Sequence, residues 1–311
     1  MTDFDAGGVR VFALSYDEAD ALADFRKAHD ITYTLLSDPD SEVIREFGIL
    51  NTLIDPDDHP WFGIPYPGTY VLDSNGTITH KFFDSNLAVR AGPEQLLRAV
   101  RGEAAATSST LLASAESTEP DEVTMNIFLD GASLTPTVQR DLVFRFSVPD
   151  GWHVYAEPAP EGSVALAVTL DANERIVQRP LIRPASESHS LAGTRESFPV
   201  HHGEFELRLP LTVNGGILAE DGSASLTISG TVRWQACDDE VCDIPVTRSF
   251  ELTVPVTKSP PVALWGDEGM ALEPNARAHF QRMTSRRERE ACLLYTSDAA
   301  DDSAFVLLWV V

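Results

Sequence analysis

Two cysteines separated by four residues lie between two stretches of alternating apolar residues, and this arrangement restricts the fold more than any other feature of the chain. Every second residue is apolar over much of 225–236, and again over 250–254 after a polar insert. Such alternation on both sides of a short insert predicts a β-hairpin. A four-residue loop would place Cys237 and Cys242 opposite each other, at the Cα separation of about 5.5–6 Å that suits a disulfide.

Length and charge exclude several classes of function. The chain has 311 residues, which predicts two domains, and its formal net charge is −25. Repulsion between so many acidic groups and phosphate argues against nucleic acid as a partner. No apolar run approaches the ~20 residues of a membrane span. Three cysteines are too few for a disulfide scaffold or a complete zinc cage. We therefore expect no nucleic-acid partner, no membrane span in this chain, no metal and no organic cofactor.

Residues 1–102 alternate between strand-like and helix-like patterns. The pattern predicts strand, helix, short strand, helix, a hairpin around an Asp-Ser-Asn-Gly turn at 73–76, and a final helix at 93–100. This order is typical of an α/β layer structure.

Two runs in that segment carry a resemblance: Ser-Asp-Pro-Asp at 37–40, and Pro-Gly-Thr-Tyr-Val-Leu-Asp-Ser-Asn-Gly at 67–76. They resemble the C-terminal two-thirds of a thioredoxin-like redoxin of the peroxiredoxin (AhpC/TSA) type. The resemblance implies that Pro67 is the family's cis-proline, beside the active-site thiol. It also implies that the reactive cysteine would lie on a strand and helix before Met1. We expect a thioredoxin-like domain truncated at its N-terminus, with a cysteine-less relic as the alternative.

No cysteine occurs in residues 1–102. Without a thiolate the segment has no nucleophile for a peroxide or a disulfide, so we expect no peroxidase activity from it. Residues 103–121 are rich in Ala, Ser, Thr and Glu, which predicts a flexible linker. Short alternating strands with Gly and Pro turns then predict an antiparallel β-sandwich over 122–256.

The sandwich segment carries a second resemblance, on Pro-Asp-Gly-Trp-His-Val-Tyr at 149–155 and on the Trp-Gln-Ala-Cys motif that begins at Trp234 and continues to Cys242 and Pro245. These runs resemble the N-terminal periplasmic domain of the thiol:disulfide interchange protein DsbD. The resemblance implies an immunoglobulin-like fold, a redox-active Cys237/Cys242 pair and an extracytoplasmic location. It further implies a thioredoxin-fold redox partner, or the chain's own N-terminal domain in that role. Phe198 is the candidate for the family's aromatic cap, and Trp234 supports the site.

Other interpretations of the cysteine pair stay open. The pair could be a structural staple, although cross-linking so short a loop gains little denatured-state entropy. It could bind a metal with His201 and His202, although their spacing fits no zinc pattern. His153 is interpreted as a structural residue at the sandwich edge.

Four carboxylates lie in or beside the cysteine loop, and they predict raised thiol pKa values. They belong to Asp238, Asp239, Glu240 and Asp243.

Residues 257–290 form a charged tail. Residues 291–311, which include Cys292, resemble a translated transposon-end sequencing adapter, and we expect them to be non-native. The sequence therefore predicts a thiol–disulfide redox protein that exchanges disulfides or relays electrons through Cys237 and Cys242. The alternatives are a non-catalytic interaction protein with a structural disulfide, and a fragment of a peroxiredoxin-type antioxidant enzyme.

Overall fold

The computed structural model describes residues 4, 7–54, 62–101, 109–115, 122–190, 196–214, 223–257 and 305–309. The chain divides into two units. One unit comprises residues 1–105 with 260–311, and the other comprises residues 106–259.

The first hundred residues form short strands that alternate with helices. In chain order the elements are β1 (Arg10–Ser15), α1 (Ala19–Ala28), β2 (Thr34–Ser37), α2 (Glu42–Glu46), β3 (Gly68–Leu72), β4 (Ile78–Phe83), β5 (Arg90–Ala91) and α3 (Pro93–Arg101).

The second unit is built from strands alone among its described residues. They are β6 (Ser109–Ala115), β7 (Thr124–Asp130), β8 (Val138–Ser147), β9 (His153–Tyr155), β10 (Ala167–Leu170), β11 (Ile176–Gln178), β12 (Glu187–Ser190), β13 (Ser197–His201), β14 (Glu204–Val213), β15 (Ser223–Trp234), β16 (Ala236–Cys237) and β17 (Val246–Thr257). A further strand, β18 (Phe305–Trp309), belongs to the first unit.

The sheet of the first unit has the strand order β2-β1-β18-β3-β4. β1 runs parallel to both β2 and β18, whereas β3 runs antiparallel to β18 and β4. One buried cluster includes Leu14, Ile44 and Tyr70, and a second includes Val11 and Leu96. Strands with packed helices confirm the predicted α/β, thioredoxin-like class.

The Ser-Asp-Pro-Asp run explains where α2 begins. Asp38 is buried, and its two carboxylate oxygens accept hydrogen bonds from the backbone N–H groups of Glu42 and Ile44, each at 2.9 Å. Helix N-termini have unpaired N–H groups and a partial positive charge, so a buried carboxylate there is well placed. Ser41 adopts a left-handed conformation with φ of 55° and donates a hydrogen bond to the Gly63 carbonyl.

The second unit is a β-sandwich. Its sheets have the strand orders β11-β14-β8-β7-β6, β10-β15-β17 and β12-β13-β9-β16. Alternate residues of β7, β8 and β14 meet those of β15 and β17 in one core, because successive strand residues point to opposite faces. Fully buried members include Leu142, Phe144, Leu207, Ile228 and Leu252. The predicted all-β, immunoglobulin-like class is confirmed.

The linker prediction is wrong for residues 109–115. These residues form β6, which pairs antiparallel with β7. An unpaired β7 would leave a row of backbone N–H and C=O groups open at the sheet edge, and β6 satisfies them. Residues 102–108 and 116–121 lie outside the described part of the chain.

The cis-proline prediction is also wrong. Where the backbone is described, the one cis peptide bond joins Glu157 to Pro158, and the Tyr66–Pro67 bond is trans. Pro67 leads directly into the extended β3, which the trans form favoured by most X–Pro bonds accommodates.

Residues 305–309 lie within the segment expected to be non-native, and they occupy the sheet between β1 and β3. The expectation about the origin of 291–311 stays a prediction, and most of that segment lies outside the described residues. No helix in the described ranges is long and apolar enough to cross a membrane.

Candidate redox site

The residues that carry the two cysteines do not continue the β15–β17 hairpin. β15 and β17 pair along their whole length up to Trp234 opposite Val246, as the alternation predicted. The intervening residues do not form a simple loop between them. Ala236 and Cys237 form β16, which pairs with Val154 and His153 of β9 in a different sheet.

A disulfide joins Cys237 to Cys242, with an S–S distance of 2.06 Å and a Cα–Cα distance of 4.0 Å. The two residues form an isolated antiparallel bridge, so they face each other as predicted. Backbone bonds from Asp238 N to the Val241 carbonyl and from Asp243 N to the Ala236 carbonyl, both 2.9 Å, close the loop between them.

Trp234 and Gln235 hold this loop on the sandwich. Trp234 is 2% exposed, and its ring meets the edge of Phe146 at a centroid distance of 5.8 Å. The Gln235 side chain donates to the Asp243 carbonyl and accepts from the Val164 N–H, both at 2.9 Å. The motif therefore anchors the strand with its tryptophan and fixes the cysteine loop with its glutamine, a role that the sequence alone did not assign.

Solvent reaches the two cysteines very unequally. Cys237 is 0% exposed, whereas Cys242 is exposed. Apolar side chains flank Cys242, since Val241 is 58% exposed and Ile244 is 86% exposed. An attacking thiolate in solution therefore has access to Cys242 and not to Cys237.

One face of the sheet β12-β13-β9-β16 gathers the residues around Cys237. Tyr155 and Val200 are cross-strand partners, and both are buried against Cys237. Phe198, two residues before Val200 and on the same face, packs against this cluster. The structure thus brings the predicted cap residue Phe198 together with Cys237. Pro67 belongs to the other unit.

Three histidines extend the same face. The ring of His153 lies 4.2 Å from that of His189 and 5.8 Å from that of His202, measured between centroids. Burial is the main reason that the pKa of His153 is lowered from 6.5 to about 4, and the two neighbouring imidazoles lower it further. Asp239 of the cysteine loop lies 3.7 Å from His189.

The sequence missed this histidine cluster, because its members come from three separate segments. His201, which was considered beside His202 as a ligand, faces the other side of the sheet and stacks on Phe205. Across the described ranges, no group of three His, Cys, Asp or Glu side chains is arranged to hold a metal ion.

Two protein families match the chain. The AhpC/TSA family matches residues 1–81, and the N-terminal domain of thiol:disulfide interchange protein DsbD matches residues 129–254. Peroxiredoxin Bcp of Escherichia coli is 30% identical over 88 residues, which are 27% of this chain and 53% of that protein. The chloroplastic peroxiredoxin Q of Oryza sativa subsp. japonica is 35% identical over 78 residues, which are 25% of this chain and 32% of that protein. The chain thus spans about half, or less, of these relatives.

Two solved structures are similar to the chain. The N-terminal periplasmic domain of ScsB from Proteus mirabilis aligns with a TM-score of 0.33 and 11% identity, over 58% of this chain and 60% of that one. The reduced DsbD N-terminal domain of Neisseria meningitidis aligns with a TM-score of 0.26 and 17% identity, over 36% of this chain and 75% of that one. Scores this low define no residue correspondences.

Both family predictions are confirmed, and both families, together with the Cys237–Cys242 disulfide, assign the chain to thiol–disulfide redox chemistry. The chain therefore combines a segment similar to the AhpC/TSA family, at residues 1–81, with a segment similar to the DsbD N-terminal domain, at residues 129–254.

Proposed function

We propose that the β-sandwich unit exchanges disulfides with a thioredoxin-fold dithiol protein, and that Cys242 is the sulfur that meets the partner. The observation that carries this proposal is the unequal exposure of the pair. Cys237 is completely buried and Cys242 is exposed. Disulfide exchange requires an in-line approach of thiolate to sulfur, so access decides which sulfur reacts.

The chemistry has two steps. A partner thiolate attacks Cys242 Sγ, the Cys237–Cys242 bond breaks, and Cys237 leaves as a thiolate. The partner's second thiolate then attacks the partner sulfur of the mixed disulfide and releases Cys242 as a thiolate. The partner becomes a disulfide, its two electrons reduce the cysteine pair, and solvent protons neutralise the new thiolates. In the reverse direction, Cys242 attacks a partner disulfide and Cys237 resolves the mixed disulfide.

The proposed partner is a separate thioredoxin-fold protein. Residues 1–102 contain no cysteine, so this segment cannot itself exchange a disulfide with Cys242. The match of residues 1–81 to the AhpC/TSA family supports a docking role for this segment.

An extracytoplasmic location is part of the proposal. Disulfides persist in oxidising compartments and are rare in the cytosol. The match of residues 129–254 to the DsbD N-terminal domain, which is periplasmic in that family, supports the same location for the sandwich unit.

Trapping of mixed disulfides tests the proposal. In the full chain with Cys292→Ser, the variant Cys237→Ser keeps the exposed sulfur and Cys242→Ser keeps the buried one. Each is mixed with a thioredoxin whose resolving cysteine is serine and whose remaining cysteine is activated with an aromatic disulfide reagent. We expect Cys237→Ser to form the mixed disulfide and Cys242→Ser not to form it. Equal trapping by both variants, or by neither, rejects the proposal.

A structural staple remains the second candidate, and one observation favours it. The loop is closed by two backbone hydrogen bonds and by Gln235 in addition to the disulfide, which is the arrangement of a rigid surface turn. The redox potential of the pair separates the two candidates, as described at the end of the Discussion.

A further inference from the structure

His153 lies directly across from Cys237. The two residues are Cα partners in the antiparallel β9–β16 ladder, and directly paired residues point to the same face of a sheet. Burial confirms the separation of the two faces. The neighbouring pair, Val154 and Ala236, contributes to the main sandwich core, whereas Cys237 and Tyr155 belong to the smaller cluster on the other face.

The His153 ring is buried and has a free nitrogen. The residue is 1% exposed, and its Nε2 atom is buried without a hydrogen-bond partner in the structure as described. A buried polar atom without a partner is uncommon in native proteins and calls for an explanation. Here the explanation lies in the state of the neighbouring sulfur, because a disulfide offers only a weak acceptor and a thiolate offers a strong one.

The groups around His153 connect it to solvent. His189 of β12 lies 4.2 Å away, centroid to centroid, and its side chain is 19% exposed. Asp239, from the cysteine loop, is 85% exposed and lies 3.7 Å from His189 Nε2. His202 lies 5.8 Å from His153, centroid to centroid, and its Nδ1 is 3.1 Å from the Trp152 carbonyl oxygen.

Two further groups complete the surroundings of His153. Tyr155 lies on the same strand as His153, and the two rings are 5.2 Å apart between centroids. The negative charge of Asp238 acts to raise the pKa of His153, against the larger effect of burial. The two aspartates favour a positive charge on the ring, whereas burial and the other histidines oppose it.

Opening the disulfide creates a charge in this buried space. When a partner thiolate attacks Cys242, the electron pair of the broken S–S bond stays on the sulfur of Cys237. Cys237 is 0% exposed. A buried anion without a compensating group is strongly disfavoured. The site therefore needs a cation or a hydrogen-bond donor beside Cys237 at that step.

We propose that His153 is the proton-transfer residue for Cys237: its ring donates an N–H to the departing thiolate and carries a solvent proton to that sulfur through His189. In the return direction the imidazole accepts the proton from the Cys237 thiol. This inference rests on the proposed exchange chemistry, and it assigns the protonation of the buried Cys237 sulfur to a specific residue. While the disulfide is intact the ring is neutral, because burial lowers its pKa. A thiolate beside the ring raises that pKa, since opposite charges stabilise each other at short distance.

Titration of the histidine rings by nuclear magnetic resonance tests the proposal in the full chain with Cys292→Ser. The rings are followed against pH with the disulfide intact and after reduction by dithiothreitol. We expect the His153 ring signals of the reduced chain to show an additional inflection at the higher pH where the Cys237 thiol loses its proton, because the thiolate then accepts the ring N–H. His201 serves as the internal control, because it is buried on the opposite face, and its titration should not change. An unchanged His153 titration overturns the proposal.

A kinetic comparison supplies a second readout. The rate of disulfide reduction by dithiothreitol is measured for His153→Phe and for the matched variant His201→Phe. Each rate is divided by the concentration of the dithiothreitol thiolate. Loss of acid–base assistance should slow His153→Phe at least about tenfold, whereas His201→Phe should remain within about twofold of the parent chain. Equal rates in the two variants count against the proposal. Neither readout uses a partner protein. If His153 responds as expected but no mixed disulfide with a thioredoxin is trapped, the proposed partner is rejected and the role of His153 is retained.

Discussion

The Asp238 side chain accepts the backbone N–H of Val241 at 2.6 Å, within the loop that joins the two cysteines. It also accepts the N–H of Glu240 at 2.7 Å, and these two hydrogen bonds lower the pKa of its carboxyl group. The same aspartate that adds negative charge near the sulfur therefore also orders the loop. Charge and geometry at this position can be separated by substitution.

Removing the Asp238 acceptor should loosen the cysteine loop. We expect Asp238→Ala to increase the hydrogen-exchange rate of the Val241 amide several-fold, whereas Asp238→Asn, which keeps a side-chain oxygen, should change it much less. In the parent chain the Asp238 carboxylate should protect the Val241 amide fully above the ordinary carboxyl pKa of 3.8. That protection should be lost as the pH falls through the lowered pKa of Asp238. Equal exchange in both variants would show that the side-chain bonds do not order the loop.

Reducing the acidity of the loop should activate Cys242. Negative charges near a thiol disfavour the thiolate, so Asp239→Asn combined with Glu240→Gln should lower the Cys242 thiol pKa and speed its attack on disulfides. The pKa is measured from the pH dependence of thiol alkylation in the Cys237→Ser background. Glu251→Gln, an exposed position on β17, is the control. A Cys242 pKa near or below 7 in the parent domain would contradict the idea that these carboxylates restrain the pair.

Exposed apolar residues beside Cys242 should contribute to docking. Ile244 is 86% exposed and lies two residues from the reactive sulfur. We expect Ile244→Ser to slow exchange with a thioredoxin about threefold to tenfold, which matches the burial of one aliphatic side chain, and to leave exchange with dithiothreitol unchanged. Ile182→Ser removes another exposed isoleucine, 53% accessible, and should affect neither rate. A loss of both rates in Ile244→Ser would indicate a distorted loop instead of a lost contact.

Acidification should destabilise the sandwich unit through its buried histidines. The pKa of His153 is lowered to about 4 in the folded state, so the unfolded chain binds more protons between pH 6.5 and about 4. The stability is fully present above pH 6.5 and falls as the pH is lowered through that window, by up to about 3 kcal/mol for this one group. Burial lowers the pKa of His201 as well, which acts in the same direction.

Urea unfolding at a series of pH values measures this effect. The parent chain should lose stability steadily from pH 6.5 downward, and His153→Phe should show a smaller loss over the same range. Identical pH dependence in the two chains would mean that His153 is not buried in its neutral form.

Local patterns were sufficient to predict the two fold classes. Alternation in 225–236 and 250–254 identified β15 and β17, and the Asp-Ser-Asn-Gly turn identified the β3–β4 hairpin. In that turn the Asp73 side chain accepts the N–H groups of Asn75 and Thr77, at 2.9 Å and 2.8 Å. Such features depend on neighbours in sequence, and a single sequence reports them directly.

Long-range pairings were not predictable in the same way. β16 pairs with β9, about eighty positions earlier, and nothing in the two cysteines' own neighbourhood indicates that partner. The histidine cluster depends on the same pairing. β6 was assigned to a linker by its composition, although it completes a sheet edge, and β18 enters its sheet from the far end of the chain.

The midpoint potential of the Cys237–Cys242 couple tests the central claim most directly. The full chain with Cys292→Ser is equilibrated in graded thiol buffers, and the reduced fraction is measured by quantitative alkylation. An exchanging redox pair predicts a value between about −180 and −270 mV. A value below about −300 mV, or a bond that these buffers do not reduce, would identify a structural staple and contradict the account.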